Sequence, residues 1–313
     1  MEYITLRHSD LRVSRLCMGG CPMGGYGWGD VQEQELLDAI HTAVDVGVNF
    51  FDTADTYGLG QSERTLAKAL GPRRRDVVIQ TKFGVRAGDG PTRHDNSPAY
   101  IRQALEASLR RLNTDYIDIY VMHYWDGVTP PAEIAGTLID AQKAGKIRYF
   151  GLSNVPEAHI ADWLPWREHI VGVQYEFSLA CRSHEAAFSA AAETLGLNPL
   201  TWGSLGQGIL TGKYDASSTF GSDDRRSREI YVNFHGEKLL QNLRIVDKLR
   251  EIAAQTGKSI PACAIRFILD HLPESVVIAG VKRPAQLLSN LEALDWSLDA
   301  DALQALDRLS LGG

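Results

Sequence analysis

The chain has 313 residues, of which 44% are hydrophobic and 23% charged, with a formal net charge of −7. This is the composition of a globular protein with ample apolar side chain for a large core, and it excludes disorder over long stretches. Lys and Arg are scattered rather than gathered on one face, which argues against nucleic-acid or anionic-membrane partners.

The opening Met1-Glu-Tyr-Ile-Thr has no basic segment leading into an apolar one, and no run of about twenty apolar residues follows, so a cytoplasmic location is expected. Cys17, Cys21, Cys181 and Cys263 are too dispersed for a disulfide framework or a zinc ribbon; they read as reduced thiols, and no metal is expected. A monomer, or at most a weak homo-oligomer, is the default assembly.

Taken in order, Tyr3-Ile-Thr-Leu and Leu11-Arg-Val-Ser flank the turn-like His8-Ser-Asp and predict a hairpin that would plug the bottom of a barrel. Leu16-Cys-Met-Gly-Gly follows as the first buried strand. Its glycine-rich continuation, Met18-Gly-Gly-Cys-Pro-Met-Gly-Gly-Tyr-Gly, lacks the spacing of the phosphate turn that opens a doubly wound sheet. Those glycines either let the backbone pass close to a ligand or simply make turns.

Further apolar runs read as strands: Val48-Asn-Phe-Phe, Val77-Val-Ile-Gln, Tyr116-Ile-Asp-Ile-Tyr-Val-Met, Tyr149-Phe-Gly-Leu, Val171-Gly-Val-Gln-Tyr, Leu200-Thr-Trp and Val276-Val-Ile-Ala. Helical spacing lies between them, as in Glu33 to Val46 (Leu36, Leu37, Ile40, Ala43, Val44) and Pro98 to Leu112 (Ile101, Leu105, Leu109, Leu112). Strands alternating with helices or long loops predict a closed parallel (β/α)8 TIM barrel, with the N-terminal hairpin below and long loops at the C-terminal mouth. Gly206 to Gly236, rich in Gly, Ser and Asp with Arg225, Arg226 and Arg228, reads as a long connection, which in a compact domain is either functional or disordered. No linker or repeat interrupts the chain, so residues 1–313 are read as one domain.

In such a barrel, reactive groups belong at the C-terminal strand ends and in the loops beyond them. Asp52 closes Asn49-Phe-Phe-Asp, Lys82 closes Val77-Val-Ile-Gln-Thr-Lys, His123 closes Ile117-Asp-Ile-Tyr-Val-Met-His, and Tyr57 lies five residues past Asp52. A Lys ending a buried strand requires a counter-ion, and Asp52 is the natural one. A phenol beside that ammonium is expected to have a lowered pKa and to donate its proton near neutrality, while His123 orients a carbonyl or shares its developing charge. Each residue alone also has an ordinary reading, as a structural ion pair, a packed Tyr or a core His; the set is more specific than its members.

In these four residues and their surroundings, the sequence resembles the aldo-keto reductase superfamily over nearly its whole length. The resemblance lies in Asn49-Phe-Phe-Asp-Thr-Ala-Asp-Thr-Tyr-Gly, Thr81-Lys, Val121-Met-His-Tyr-Trp-Asp and the opening stretch Tyr3 to Gly19. It implies that Asp52, Tyr57, Lys82 and His123 are a catalytic tetrad, and that a nicotinamide carboxamide is held by Ser153, Asn154 and Gln174. Trp202 stands where a family Tyr stacks on the nicotinamide, and Gly203, Ser204, Leu205, Gln207, Gly208 and Lys213 match the loop that wraps the pyrophosphate. Ser204 replaces a Pro usual there.

Gly280, Lys282, Arg283, Gln286 and Asn290 match the segment that recognises the adenosine 2′-phosphate and adenine, with Ser289 where an acidic residue is usual. A Lys and an Arg together favour NADPH over NADH as the expected cofactor. The expected reaction is reduction of an aldehyde or ketone, a sugar or ketosugar among them, by hydride transfer with Tyr57 as proton donor. Tyr26, Trp28, Tyr124 and Trp125 form an aromatic wall for the substrate or else pack on each other. The alternatives are a hydrolytic barrel, for which no catalytic Glu stands out, and a cofactor-binding sensor or regulatory subunit on the same fold.

Overall fold

The structure, a computed structural model, describes residues 1–25, 27–88 and 90–312. A hairpin of β1 (Tyr3–Thr5) and β2 (Arg12–Ser14) opens the chain, and the barrel strands β3 (Leu16–Gly19), β4 (Phe50–Asp52) and β5 (Val78–Phe83) follow. A second hairpin, β6 (Val85–Gly88) and β7 (Gly90–His94), stands between β5 and the next barrel strand. The remaining barrel strands are β8 (Ile117–Met122), β9 (Ile147–Ser153), β10 (Ile170–Glu176), β11 (Pro199–Trp202) and β12 (Val276–Gly280). Each barrel strand pairs in parallel with its chain neighbours, and β12 returns to β3, so the eight-stranded sheet closes as the sequence predicted.

Among the described residues the α-helices are α1 (Glu33–Asp45), α2 (Gln61–Leu70), α3 (Pro98–Leu112), α4 (Pro131–Lys143), α5 (Glu185–Leu195), α6 (Gly236–Thr256), α7 (Ile260–His271), α8 (Pro284–Leu291) and α9 (Ala300–Ser310). The local signals behind them are legible in α3. Ser97 caps it by accepting from the Tyr100 N–H at 3.4 Å, Pro98 occupies the first turn, and Asn113 ends it in the left-handed conformation. The fifth strand departs from the regular pattern. Glu157–His159 and Ala161–His169 form 3-10 turns rather than an α-helix, with Pro165 inside the longer one removing a helical donor.

Two apolar clusters hold the architecture. The larger fills the space between barrel and helices, while the smaller joins Leu6, Leu11 and Val13 of the first hairpin region to Cys17, Phe50, Val78, Ile119, Val171 and Leu200 inside the barrel. That hairpin is the expected plug, and each leucine it buries contributes about 1.5–3 kcal/mol. Asn49 fixes it to β4 by accepting from the Ser14 N–H at 2.7 Å and donating to the Arg12 carbonyl at 2.9 Å.

The second hairpin does not follow from apolar patterning, because all of β7 and most of β6 are exposed. Its sequence signal is Gly88-Asp-Gly, a turn dipeptide context that polar flanks obscure. The long connection is built from 3-10 turns at Gly206–Thr211, Arg225–Ser227 and Val232–Phe234. It folds back on the loop after β3: the Arg225 N–H donates to the Gly27 carbonyl at 3.1 Å, and Tyr231 meets Trp28 edge-on at 6.1 Å. Within it, Arg226 is clasped by Asp224 and the Tyr214 hydroxyl.

Candidate active site

Parallel pairing aligns the C-terminal ends of β4, β5 and β8, and with them three of the expected reactive side chains. The Lys82 Nζ donates to Asp52 Oδ2 at 2.6 Å and to the Thr53 carbonyl at 2.9 Å, and reaches the Tyr57 hydroxyl at 3.4 Å. Lys82 and Asp52 are 2% and 4% exposed, so each charge depends on the other. Burial pushes the Asp52 carboxyl up from its usual range, and the Lys82 ammonium pulls it part of the way back. Removing one partner strands the other: Asp52→Ala is expected to cost about 3–5 kcal/mol in urea unfolding. A paired replacement, Asp52→Asn with Lys82→Met, should recover most of it, and an undiminished loss in the pair would show that packing, not charge, was responsible.

Tyr57 sits in the turn after β4, and a glycine contact sets its place. A Cβ on Gly24 would lie 2.7 Å from the Gly58 nitrogen and from the Tyr57 carbonyl carbon, so the turn at Cys21–Gly24 rests directly on the Tyr57–Gly58 backbone. The Tyr57 pKa does not fall as the sequence suggests but rises. Burial raises the hydroxyl well above its ordinary value and the Asp52 charge adds to that. Lys82 is already committed to Asp52, and loss of hydration outweighs an ammonium at 3.4 Å. Tyr57 is therefore a firmly protonated acid whose oxygen already faces an N–H donor.

His123 meets the Tyr57 ring edge-to-face at 6.0 Å. Burial, then the charge of Lys82, holds its pKa well below the ordinary histidine value, so the imidazole is neutral at pH 7. Its Nδ1 is buried with no hydrogen-bond partner among the described residues.

Behind Tyr57, Glu63 is fully buried and accepts from Thr81 Oγ1 at 2.6 Å and Arg111 Nε at 2.5 Å. Asp55 as a residue is only half-buried, but its Oδ1 is sealed from solvent and unpartnered, and the atom's own burial is what governs its titration. Burial first, then the Glu63 charge, raises the Asp55 carboxyl to about 8.

The next three strand ends carry the amide-rich group. Ser153 and Gln174 are register partners on β9 and β10, and Asn154, with φ of 54°, donates from Nδ2 to the His123 carbonyl at 3.0 Å and to Ser153 Oγ at 2.9 Å. Among the described residues, neither polar atom of the buried Gln174 side chain makes a hydrogen bond of ordinary geometry, although its amide lies near enough to Asp52 to favour the carboxylate, and Trp202 Nε1 at the end of β11 is likewise unpartnered. These orphaned donors and acceptors fit a carboxamide-bearing group. Gly203 (φ 65°) and Gly208 (φ 108°) turn the chain in conformations that favour glycine, and Gln207 shares the left-handed region at φ 54°. Ser204 Oγ donates to the Thr201 and Ile278 carbonyls at 3.0 and 3.1 Å, tying β11 to β12. Leu205 precedes the Gly206–Thr211 turn and exposed Lys213 follows it.

Past Gly280, the Gln286 Oε1 accepts from the Lys282 N–H at 2.8 Å just ahead of α8, and buried Asn290 has an Nδ2 with no partner among the described residues. Lys282 Nζ donates to the Trp28 carbonyl at 2.7 Å, and Arg283 Nε pairs with Glu35 at 2.8 Å. Burial and the neighbouring cations Arg226, Arg283 and Lys213 lower the Lys282 pKa, and the Asp224 charge opposes them.

Of the aromatic wall, Trp28 lies against Tyr231 and under Arg225, and Tyr124 stacks on His123 at 5.0 Å. Trp125 is engaged elsewhere, donating to the Thr129 carbonyl at 2.8 Å and meeting the His159 ring at 4.7 Å. Tyr26 lies outside the described residues. Sequence reasoning missed Glu176, which accepts from Gln207 Nε2 at 2.8 Å while Gln207 Oε1 accepts from Asn233 Nδ2 at 2.6 Å. Its signal was a carboxylate ending the Val171–Tyr175 run, the same signal that singled out Asp52.

A protonated phenol, a buried ammonium–carboxylate pair and a neutral imidazole at one barrel mouth make a site for acid catalysis at an oxygen. The profile of the Aldo/keto reductase family matches residues 15–311, and the chain belongs to that family. It is an oxidoreductase, and nicotinamide cofactors are the rule among its relatives. The probable voltage-gated potassium channel subunit beta of Oryza sativa subsp. japonica is 35% identical over 305 residues, 94% of this chain and 92% of that one. The NADH-specific methylglyoxal reductase of Escherichia coli (strain K12) is 32% identical over 320 residues, 96% of each. The solved structure of the glycerol dehydrogenase AKR11B4 from Gluconobacter oxydans superposes with a TM-score of 0.87 at 32% identity, covering 98% of this chain and 94% of that one. Among the described residues no group of His, Cys, Asp and Glu is arranged to hold a metal ion, and no helix is long and apolar enough to cross a membrane.

Proposed function

We propose that this chain reduces an aldehyde or ketone, a sugar or ketosugar among them, to the alcohol with NADPH. The observation that carries the reading is the Lys82 ammonium, locked to Asp52 at 2.6 Å and directed at the Tyr57 hydroxyl at 3.4 Å. When bound, the dihydronicotinamide supplies hydride to the carbonyl carbon. Tyr57 donates its phenolic proton to the carbonyl oxygen as charge develops there, and Lys82 stabilises the phenolate left behind. Asp52 keeps Lys82 charged and in place. Neutral His123 orients the carbonyl without competing as an acid.

Ser153, Asn154 and Gln174 would hold the carboxamide, with Trp202 offering an aromatic face to the ring. Gly203 to Gly208, with Lys213, would follow the pyrophosphate. Lys282 and Arg283 would take the 2′-phosphate, with Gln286 and Asn290 at the adenine. The crowding of cations around Lys282 supports a phosphate there, since a dianion would relieve it. The Arg283–Glu35 pair is solvent-exposed on both sides and is readily exchanged for a stronger anion. Tyr124 and Trp28 are proposed to face the substrate; Trp125 is proposed to support their loop.

Two measurements test this. Lys282→Ala is expected to weaken NADPH binding about 10- to 100-fold, the worth of a charged hydrogen bond, while leaving NADH binding unchanged. Equal loss for both nucleotides would move the 2′-phosphate away from Lys282 and favour the behaviour named for the Escherichia coli relative. NADPH oxidation against a panel of aldehydes, ketones and ketosugars then decides the reaction. Tight nucleotide binding without turnover of any carbonyl would favour the second reading, a cofactor-binding regulatory subunit, which the name of the Oryza sativa relative supports.

A further inference from the structure

A catalytic imidazole is usually oriented by an acceptor on its second ring nitrogen. Among the described residues His123 has no such tether, because its Nδ1 is buried and unpartnered. Two aromatic rings pack on it instead. Tyr124 stacks on it with centroids 5.0 Å apart, and Tyr57 meets it edge-on at 6.0 Å. On the far side of Tyr124 lies His94, parallel to within 3° at 4.9 Å. His94 ends β7, on the exposed hairpin that the apolar pattern did not reveal.

The base of that hairpin is bonded to the loop carrying Tyr124. The Asn96 N–H donates to Asp126 Oδ2 at 2.8 Å, and the Asp126 N–H returns to Asn96 Oδ1 at 2.6 Å. Just before the hairpin, Gly84 (φ 99°) has no room for a side chain: a Cβ there would stand 2.5 Å from Asn96 Nδ2 and 3.1 Å from the Tyr124 carbonyl oxygen. Hairpin and loop are thus fitted to each other at backbone level, and His94 closes the column from outside.

We propose that His94 is a positioning residue, which clamps Tyr124 against His123 and so sets the orientation of the imidazole that receives the carbonyl. This rests on the reductase reading given above. The interaction is one of ring faces, so an aromatic hydrocarbon should serve in place of imidazole, whereas an aliphatic residue should not. His94 is exposed and its removal opens no core cavity, so the variants should fold.

The test compares wild type, His94→Ala and His94→Phe in NADPH-dependent reduction of 4-nitrobenzaldehyde, alongside NADPH affinity by fluorescence and the ring resonances of 13C,15N-labelled histidine. His94→Ala is expected to lower kcat about 2- to 10-fold, the worth of one aromatic pair, with NADPH affinity unchanged. His94→Phe should restore kcat, and the His123 ring signal should move in the alanine variant and return in the phenylalanine one. Undiminished kcat in His94→Ala, or failure of His94→Phe to rescue it, overturns the proposal. If the wild type itself reduces no carbonyl, the reductase reading falls instead, and the His123 resonances alone then decide whether His94 orients that ring.

Discussion

Replacing Tyr57 by Phe is expected to lower kcat for carbonyl reduction by about 10²- to 10⁴-fold, the usual worth of a positioned general acid. The substitution removes one oxygen, whose hydrogen bond is the 3.4 Å contact from Lys82; the ammonium keeps Asp52 and the Thr53 carbonyl. NADPH affinity and folding stability should therefore stay close to wild type, which separates loss of the acid from damage to the site. The pH profile gives a second check. Tyr57 lies well above its ordinary value of 10.0 and His123 well below 6.5, so neither changes protonation between about pH 7 and 10. The kcat of the wild type should be level across that range as far as these two groups control it. Wild-type turnover in Tyr57→Phe would remove Tyr57 from the chemistry and return the proton donor to a bound water or to His123.

The reach of the sequence in this protein follows from what each residue has to do. The eight barrel strands are legible because they are buried on both faces, so they read as largely apolar runs; Val276-Val-Ile-Ala and Tyr116-Ile-Asp-Ile-Tyr-Val-Met differ by one residue each from their observed bounds. Asp52, Lys82 and His123 are legible for the complementary reason: polar groups that end such runs have no packing role that an apolar residue would not fill better. The β6–β7 hairpin escaped notice because its residues face water, where pattern carries no information, and His94 was missed with it. The 3-10 turns at 157–169 were equally hidden, since Pro165 changes the helix type without changing the topology. The direction of the Tyr57 pKa was misread for a deeper reason. Sequence spacing names the charge nearest a phenol, but the sign of its shift depends on how much water the fold removes, and that is a property of the closed barrel mouth alone.

The same desolvation has its largest thermodynamic consequence one turn before Tyr57. Asp55 is held at about 8 in the folded protein against an ordinary value of 3.8, by burial and by the charge of Glu63. Between those values the folded state retains a proton that the unfolded chain has released, so stability from this group is complete below about pH 4 and is lost as pH rises through 8. The slope is about 1.4 kcal/mol per pH unit, or roughly 6 kcal/mol across the window.

Asp55→Asn keeps the shape and removes the titration. Near pH 4 variant and wild type should unfold at similar urea concentrations; from there the variant should gain steadily on the wild type and level off above pH 8. Glu63 accepts from Arg111 and Thr81 in the same way in both proteins, so the comparison isolates the Asp55 titration. Parallel stability curves for the two would show that Asp55 is ionised in the fold, and that its Oδ1 finds a partner in solution. A gain of the expected size would mean that Asp55 is a neutral carboxylic acid at pH 7. Ionising it would then place a second negative charge beside Tyr57, whose pKa the Asp55 charge raises, so the acid that the proposed reaction requires would become weaker as Asp55 loses its proton.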